Sequence, residues 1–180
     1  VLIGASMLVQ LSIRDIVLID RLDLAFEPGL SVLTGETGAG KSILLDSLSL
    51  ALGGRGDGGL VRHGEDKGQV TAVFDVGGAH PLRELLRENS IDEDGESIIF
   101  RRVQSADGRT RAYVNDQPVS AQLLRQAGGL LVEIHGQHEH QALLSRKHQL
   151  ALLDAFAQHP DRIDDVTRAA RRIADLDRGI

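Results

Sequence analysis

Cysteine is absent from the 180 residues, so neither a disulfide framework nor a thiolate metal site is available. A reducing compartment suits that composition, and the cytoplasm is the expected location. Tryptophan is absent as well and aromatics make up 3% of the chain, which leaves little material for stacking single-stranded nucleic acid. No apolar run approaches the roughly 20 residues that cross a bilayer, so no membrane partner is expected. A basic excess is also missing: 20 Lys and Arg face 26 Asp and Glu, for a net charge of −6. Domains that bind DNA unaided usually carry excess positive charge, because neutralised phosphates supply most of the affinity. Any DNA contact must therefore come from a local patch, from a segment outside this chain or from an assembly. Met7 is the only methionine, and residues 1–6 lack the basic flank and the length of a signal peptide. They are expected to be a cloning remnant ahead of a natural start.

What is present is a globular composition, 42% hydrophobic and 26% charged, long enough for one domain with a substantial core. Alternation of apolar and polar residues predicts strands over 8–19 and 22–26, the second an antiparallel neighbour of the first. Short apolar runs predict buried strands at 30–34 and 130–134. Further strands are expected at 69–76, 97–103 and 110–114, the last two joined as a hairpin through Ala106-Asp107-Gly108-Arg109. Helices are expected over 41–52, over 81–89 with Pro81 near its start, over 120–127 with Ser120 as cap, and over 146–157. The glycines of 53–59 predict a flexible loop, and Gly128-Gly129 is expected to break the helix before it. Beyond Asp161, Ile163, Val166, Ala170, Ile173 and Leu176 recur at spacings of three and four. That pattern fits an ordinary surface helix or the start of a coiled coil.

The strongest motif is Gly35-Glu36-Thr37-Gly38-Ala39-Gly40-Lys41-Ser42, the phosphate-loop pattern G-x-x-x-x-G-K-[ST]. Its glycines let the backbone wrap an anion, so that amide N–H groups from Gly38 to Ser42 point inward. The helix continuing through Ile43 adds its positive end. Lys41 is placed to bridge the β- and γ-phosphates of ATP, and Ser42 to give its hydroxyl to Mg2+. Hydrolysis needs a further carboxylate on an apolar strand. Asp75 and Glu133 are the two candidates within the chain, and a segment outside it is the third reading.

Residues 134–141, Ile134-His135-Gly136-Gln137-His138-Glu139-His140-Gln141, follow an apolar run. The imidazoles of His135, His138 and His140 could share zinc, yet the spacing is not H-E-x-x-H and no cysteine completes a ligand set. A solvated polar loop, or a loop facing the nucleotide with Gln137 on magnesium or water, are the other readings.

These pieces together resemble the RecN family, bacterial DNA-repair proteins related to SMC proteins and built on an ABC-type ATPase head. The resemblance rests on residues 11–20, Leu11-Ser12-Ile13-Arg14-Asp15-Ile16-Val17-Leu18-Ile19-Asp20, and on the phosphate loop with Ile43-Leu44-Leu45-Asp46. It rests also on Leu60-Val61-Arg62-His63-Gly64 and on the histidine-rich run, the most discriminating of the four. The resemblance implies an α/β fold: the N-terminal lobe of an ABC-type head over residues 7–157, with a mixed sheet around the phosphate-loop helix and an antiparallel β subdomain. Residues 158–180 would be the root of a coiled coil. It implies that Gln137 is the Q-loop glutamine acting on magnesium and the attacking water. It places Arg62, or else Arg55, near nucleotide or DNA, and Arg14 near the base or α-phosphate. The implied partners are the C-terminal lobe of the same protein, a second head joined on ATP binding, DNA, and a recombinase, at the bacterial nucleoid. Signature, Walker B and switch-histidine motifs have no counterpart in the sequence, so the chain alone is expected to turn over little ATP. A transporter-like ABC subunit, a non-hydrolysing nucleotide-gated interaction module and a P-loop kinase are the competing readings.

Overall fold

A computed structural model describes residues 6–34, 38–93, 95–132 and 134, together with 165, 166, 168, 169 and 172. The chain divides into two units, residues 1–134 and 135–180. The first holds six strands, β1 (Ser6–Ile16), β2 (Ile19–Ala25), β3 (Lys67–Val76), β4 (Ser97–Ser105), β5 (Thr110–Val114) and β6 (Gln117–Val119). Three α-helices accompany them, α1 (Gly38–Ala51), α2 (Pro81–Glu88) and α3 (Ala121–Leu131). The strands form one open sheet in the order β2-β1-β3-β4-β5-β6, and every neighbouring pair runs antiparallel. This is an α/β lobe of the expected class, but among the described residues the sheet is antiparallel throughout instead of mixed, because residues 30–34, the strand expected ahead of the phosphate loop, do not join it.

Alternation assigns each sheet residue to a face. Val70, Ala72, Phe74 and Val76 of β3 are buried, as are Ile98 and Phe100 of β4 and Ala112 and Val114 of β5. Leu11 and Ile13 of β1 join the same core, with Leu50 and Ala51 of α1, Leu82 and Leu86 of α2, and Leu123, Leu124 and Ala127 of α3. All three helices therefore cover one face of the sheet, and polar residues such as Ser12, Arg14, Gln69 and Thr71 line the other. Phe74 and Phe100 meet edge to face at the centre, ring centroids 5.7 Å apart. Truncating either to alanine removes a fully buried ring, a loss of about 3–5 kcal/mol.

The β4–β5 hairpin forms where the turn residues predicted it. β6, by contrast, was not expected. Asn115 and Asp116 both hold positive φ, 46° and 62°, and this two-residue turn reverses the chain so that Val114 pairs with Gln117.

Three expectations fail for identifiable reasons. Residues 30–34 are not in a strand: an apolar run becomes a strand only beside a pairing partner, and the described residues offer none there. Gly128 and Gly129 do not end α3, which continues to Leu131 in place of the expected strand at 130–134. A Cβ on Gly128 would lie 2.7 Å from the Leu52 carbonyl oxygen, so glycine serves the close approach of α3 to the end of α1. The glycine loop after α1 is built rather than slack. Gly53 is buried at φ +94°, its carbonyl accepts from Arg125 Nε at 3.2 Å, and Asp57 caps a 3-10 turn at Gly58–Leu60.

α2 begins at His80, whose Nδ1 accepts from the Leu82 N–H at 3.1 Å, with Pro81 in the first turn as expected. Burial, and then the charge of Arg83, hold the His80 pKa below the ordinary 6.5. The folded protein thus binds fewer protons than the unfolded chain just below pH 6.5. Its stability is full above that pH and falls as the pH drops through the window toward the folded value. Urea unfolding between pH 7 and pH 5 should show this loss, and His80→Asn, which keeps a capping oxygen, should flatten it.

In the second unit, residues 165, 166, 168, 169 and 172 are helical and exposed, and Arg168 Nη2 donates to Asp165 Oδ1 at 2.6 Å. The helix expected over 146–157 lies outside the described residues.

Candidate nucleotide site

α1 carries the phosphate-loop residues in its first turns. Its two ends differ in a way the sequence explains. Ser47, Leu50 and Ala51 are buried against the sheet, while Gly40, Lys41, Ser42, Leu45 and Asp46 are exposed. The helix is thus clamped mainly by its C-terminal half, with Leu44 also packed on the core, while Gly40, Lys41 and Ser42 stand in solvent. No acidic side chain lies in the first turn. The positive end of the helix, the Lys41 ammonium and the Ser42 hydroxyl therefore come together without a competing carboxylate on that turn. Gly35, Glu36 and Thr37 lie outside the described residues, and Gly38 and Ala39 are placed by backbone as the start of α1.

This donor set fits nucleotide phosphates with magnesium held by a hydroxyl and phosphate oxygens. It is not a protein cage for a metal. Among the described residues no group of three or more His, Asp or Glu could hold a metal ion. His135, His138 and His140, with Gln137, lie outside the described residues, and so does Glu133.

The segment entering the loop is apolar and bare. Leu30 is 93% exposed, Val32 73% and Leu33 48%, with Leu45 of α1 at 44%. Leu30, Val32 and Leu33 just before the loop, and Leu45 on α1, are thus among the exposed large aliphatic side chains of the described residues.

The arginines divide. Arg62 is half-buried and reaches Asp15 at 3.8 Å and Asp20 at 3.4 Å, which ties the segment after the 3-10 turn to the end of β1. Backbone bonds reinforce the tie, Arg62 N–H donating to Asp15 O and Val17 N–H to Leu60 O, each at 2.9 Å. Arg55 is exposed in the loop after α1. Arg14 is exposed on β1 beside Arg21, on the face of the sheet opposite α1. Asp75 also projects from that opposite face and accepts from Ser97 Oγ at 2.6 Å. Strand alternation turns it away from the phosphate-loop helix, which argues against Asp75 as the hydrolytic carboxylate.

Sequence reasoning missed Arg83. Its guanidinium donates to five backbone carbonyls, Nη1 to Glu93 at 2.6 Å, Nη2 to Val76 and Gly95 at 2.7 Å each and to Glu96 at 3.4 Å, and Nε to Gly77 at 3.3 Å. It clasps the β3–α2 and α2–β4 connections together, a role that carbonyl acceptors hide from any residue pattern.

Comparison with known proteins follows the same outline. A family model described as an AAA domain matches residues 10–177. The DNA repair protein RecN of Xylella fastidiosa (strain 9a5c) is 45% identical over 164 residues, 91% of this chain and 29% of that protein. RecN of Bacillus subtilis (strain 168) is 45% identical over 151 residues, 84% of this chain and 26% of that protein. The chain thus spans under a third of the length of the curated relatives it matches. Among solved structures, one from work on ATP-driven dimerization and DNA-stimulated activation of SMC ATPases superposes with a TM-score of 0.58 at 16% identity. It covers 82% of this chain and 97% of that one, a likeness of fold. The chain belongs to the AAA domain family, as an N-terminal head segment of the RecN type.

Proposed function

We propose that this chain is the ATP-binding lobe of an SMC-like DNA-repair ATPase, completed by a C-terminal lobe of the same protein. The observation that carries this reading is the bare apolar stretch of Leu30, Val32, Leu33 and Leu45 beside the phosphate loop. A lobe that ended its fold here would leave that surface in water, whereas a second lobe that paired residues 30–34 as a strand would bury it. Burying these side chains would contribute about 1.5–3 kcal/mol each.

In the completed head, backbone N–H groups from Gly38 to Ser42 cradle the phosphates of ATP and Lys41 spans the β- and γ-phosphates. Ser42 and Gln137 would hold Mg2+, which would neutralise charge that develops on the phosphate oxygens. Gln137 orients the attacking water, and Arg62 stands near nucleotide or DNA. The SMC ATPases that share this fold are described as dimerising under ATP and as activated by DNA. By analogy, ATP would join two heads of this protein, and hydrolysis would part them and so control the holding of DNA ends. ATP drives such closure only to the extent that it binds the closed state more tightly. The negative net charge of the lobe suits DNA contact that depends on that closed assembly, and residues 158–180 would lead into the coiled coil.

Gln137→Ala in the full-length protein tests the catalytic half of this reading. Nucleotide affinity should change less than about threefold, while turnover should fall about 100-fold, as for loss of one transition-state contact of roughly 3 kcal/mol. Unchanged turnover would remove Gln137 from the mechanism.

A further inference from the structure

Arg102 sits in the middle of β4 on the face that packs against the helices, and it is 4% exposed. Its register neighbours are Val70 and Ala112, which offer no side-chain acceptor. Nε and Nη1 are shut away from solvent and have no hydrogen-bond partner. Burial, and then the nearby charge of Arg125, push its pKa below the ordinary arginine value. A buried guanidinium with two unpartnered nitrogens and a second cation nearby is an arrangement proteins avoid unless an anion completes it.

The surroundings supply room for one. Arg102 borders a cleft of about 240 Å3 whose other walls include Thr110, Arg111, Ala112, Val119 and Ala121. Ala121 is the first residue of α3. The Ser120 hydroxyl caps the Leu123 N–H at 3.1 Å, which leaves the N–H groups of Ala121 and Gln122 without acceptors inside the helix. The cleft therefore combines a buried guanidinium whose Nε and Nη1 lack partners with the positive end of an eleven-residue helix. None of these groups belongs to the phosphate loop.

We propose that this cleft is a second anion site, binding one tetrahedral oxyanion of the phosphate type through Arg102 and the opening N–H groups of α3. A guanidinium fork and a helix N-terminus together suit the several oxygens of a tetrahedral oxyanion better than the two of a carboxylate. The site lies where β4, β5 and α3 meet, so an occupant ties the far edge of the sheet to the helix that abuts the end of α1.

Thermal melting of the Lys41→Ala chain in inorganic phosphate, against sodium chloride at equal ionic strength, isolates this site from the phosphate loop. Phosphate at roughly ten times its dissociation constant should raise the melting temperature by about 3–6 °C, and sulfate should act likewise. Adding Arg102→Met should abolish the response. Ala121→Asp, which places a carboxylate in the cleft at a helix position that favours it, should abolish the response too while raising the melting temperature in chloride. If Arg102→Met fails to fold, Ala121→Asp decides. The absence of any phosphate effect beyond chloride in Lys41→Ala, or a response that survives Ala121→Asp, overturns the proposal.

Discussion

Lys41→Ala is expected to weaken MgATP binding by about 100-fold or more in the full-length protein, with the nucleotide-free fold intact. The ammonium is the side-chain cation of the phosphate loop, and it serves two phosphates at once. Each hydrogen bond between charged partners contributes about 1.5–3 kcal/mol, so losing two costs a factor of 100 or more in affinity. Stability should not follow. Lys41 is exposed near the start of α1, and alanine is the better helix former. Calorimetric titration with MgATP, paired with melting of the nucleotide-free protein, separates the two effects. Retained affinity would mean that the glycine-rich turn is not a phosphate cradle.

Arg83→Met has the opposite profile, a large loss of stability with no direct effect on nucleotide. Methionine fills the volume but strands the carbonyls of Val76, Glu93 and Gly95, each of which accepts from the guanidinium at 2.6–2.7 Å. Unsatisfied buried acceptors cost about 1–3 kcal/mol each. With partial access to water, the sum is about 3–5 kcal/mol, a fall of about 10–15 °C in melting temperature for a chain of this size. Arg83→Lys should recover little, because one ammonium cannot reach carbonyls on both connections at once. The neighbouring Glu93 keeps its bond from Arg87 Nε at 2.8 Å, so loss of the Arg83 charge alone does not orphan it. A melting temperature within 3 °C of the parent would show that water replaces the clasp.

What was legible in the sequence was what local chemistry dictates. The phosphate loop announces itself because each fixed residue has a steric or electrostatic duty. β3 and β4 were visible because Val70, Ala72, Val73, Phe74 and Ile98, Ile99, Phe100 make short β-prone apolar segments between polar ones, and α2 and α3 because Pro81 and Ser120 mark their starts. The strand at 30–34 misled for the reason that carries the functional proposal. Its composition is that of a buried strand, but pairing is non-local, and no described neighbour supplies it. Gly128 misled because glycine as helix breaker and glycine as contact point look the same until Leu52 is seen across from it. Arg83 and Arg102 were silent because their significance lies in carbonyls, or in the lack of any acceptor. Neither leaves a trace in residue spacing. Of the expected site residues, Lys41 and Ser42 lie in the first turns of α1 and Arg62 pairs with Asp15 and Asp20, while the sequence left Asp75 open as the hydrolytic carboxylate because which face of β3 meets α1 shows only in the packed sheet.

The division of the head into two lobes is tested most directly by steady-state ATP turnover of this chain, alone and with the C-terminal segment of the same protein added. Turnover in the mixture and little from either piece alone is the expected result, with Leu30→Asp in this chain abolishing the gain. Substantial turnover by the 180-residue chain alone would contradict it, because the carboxylate that completes the site would then lie within this lobe.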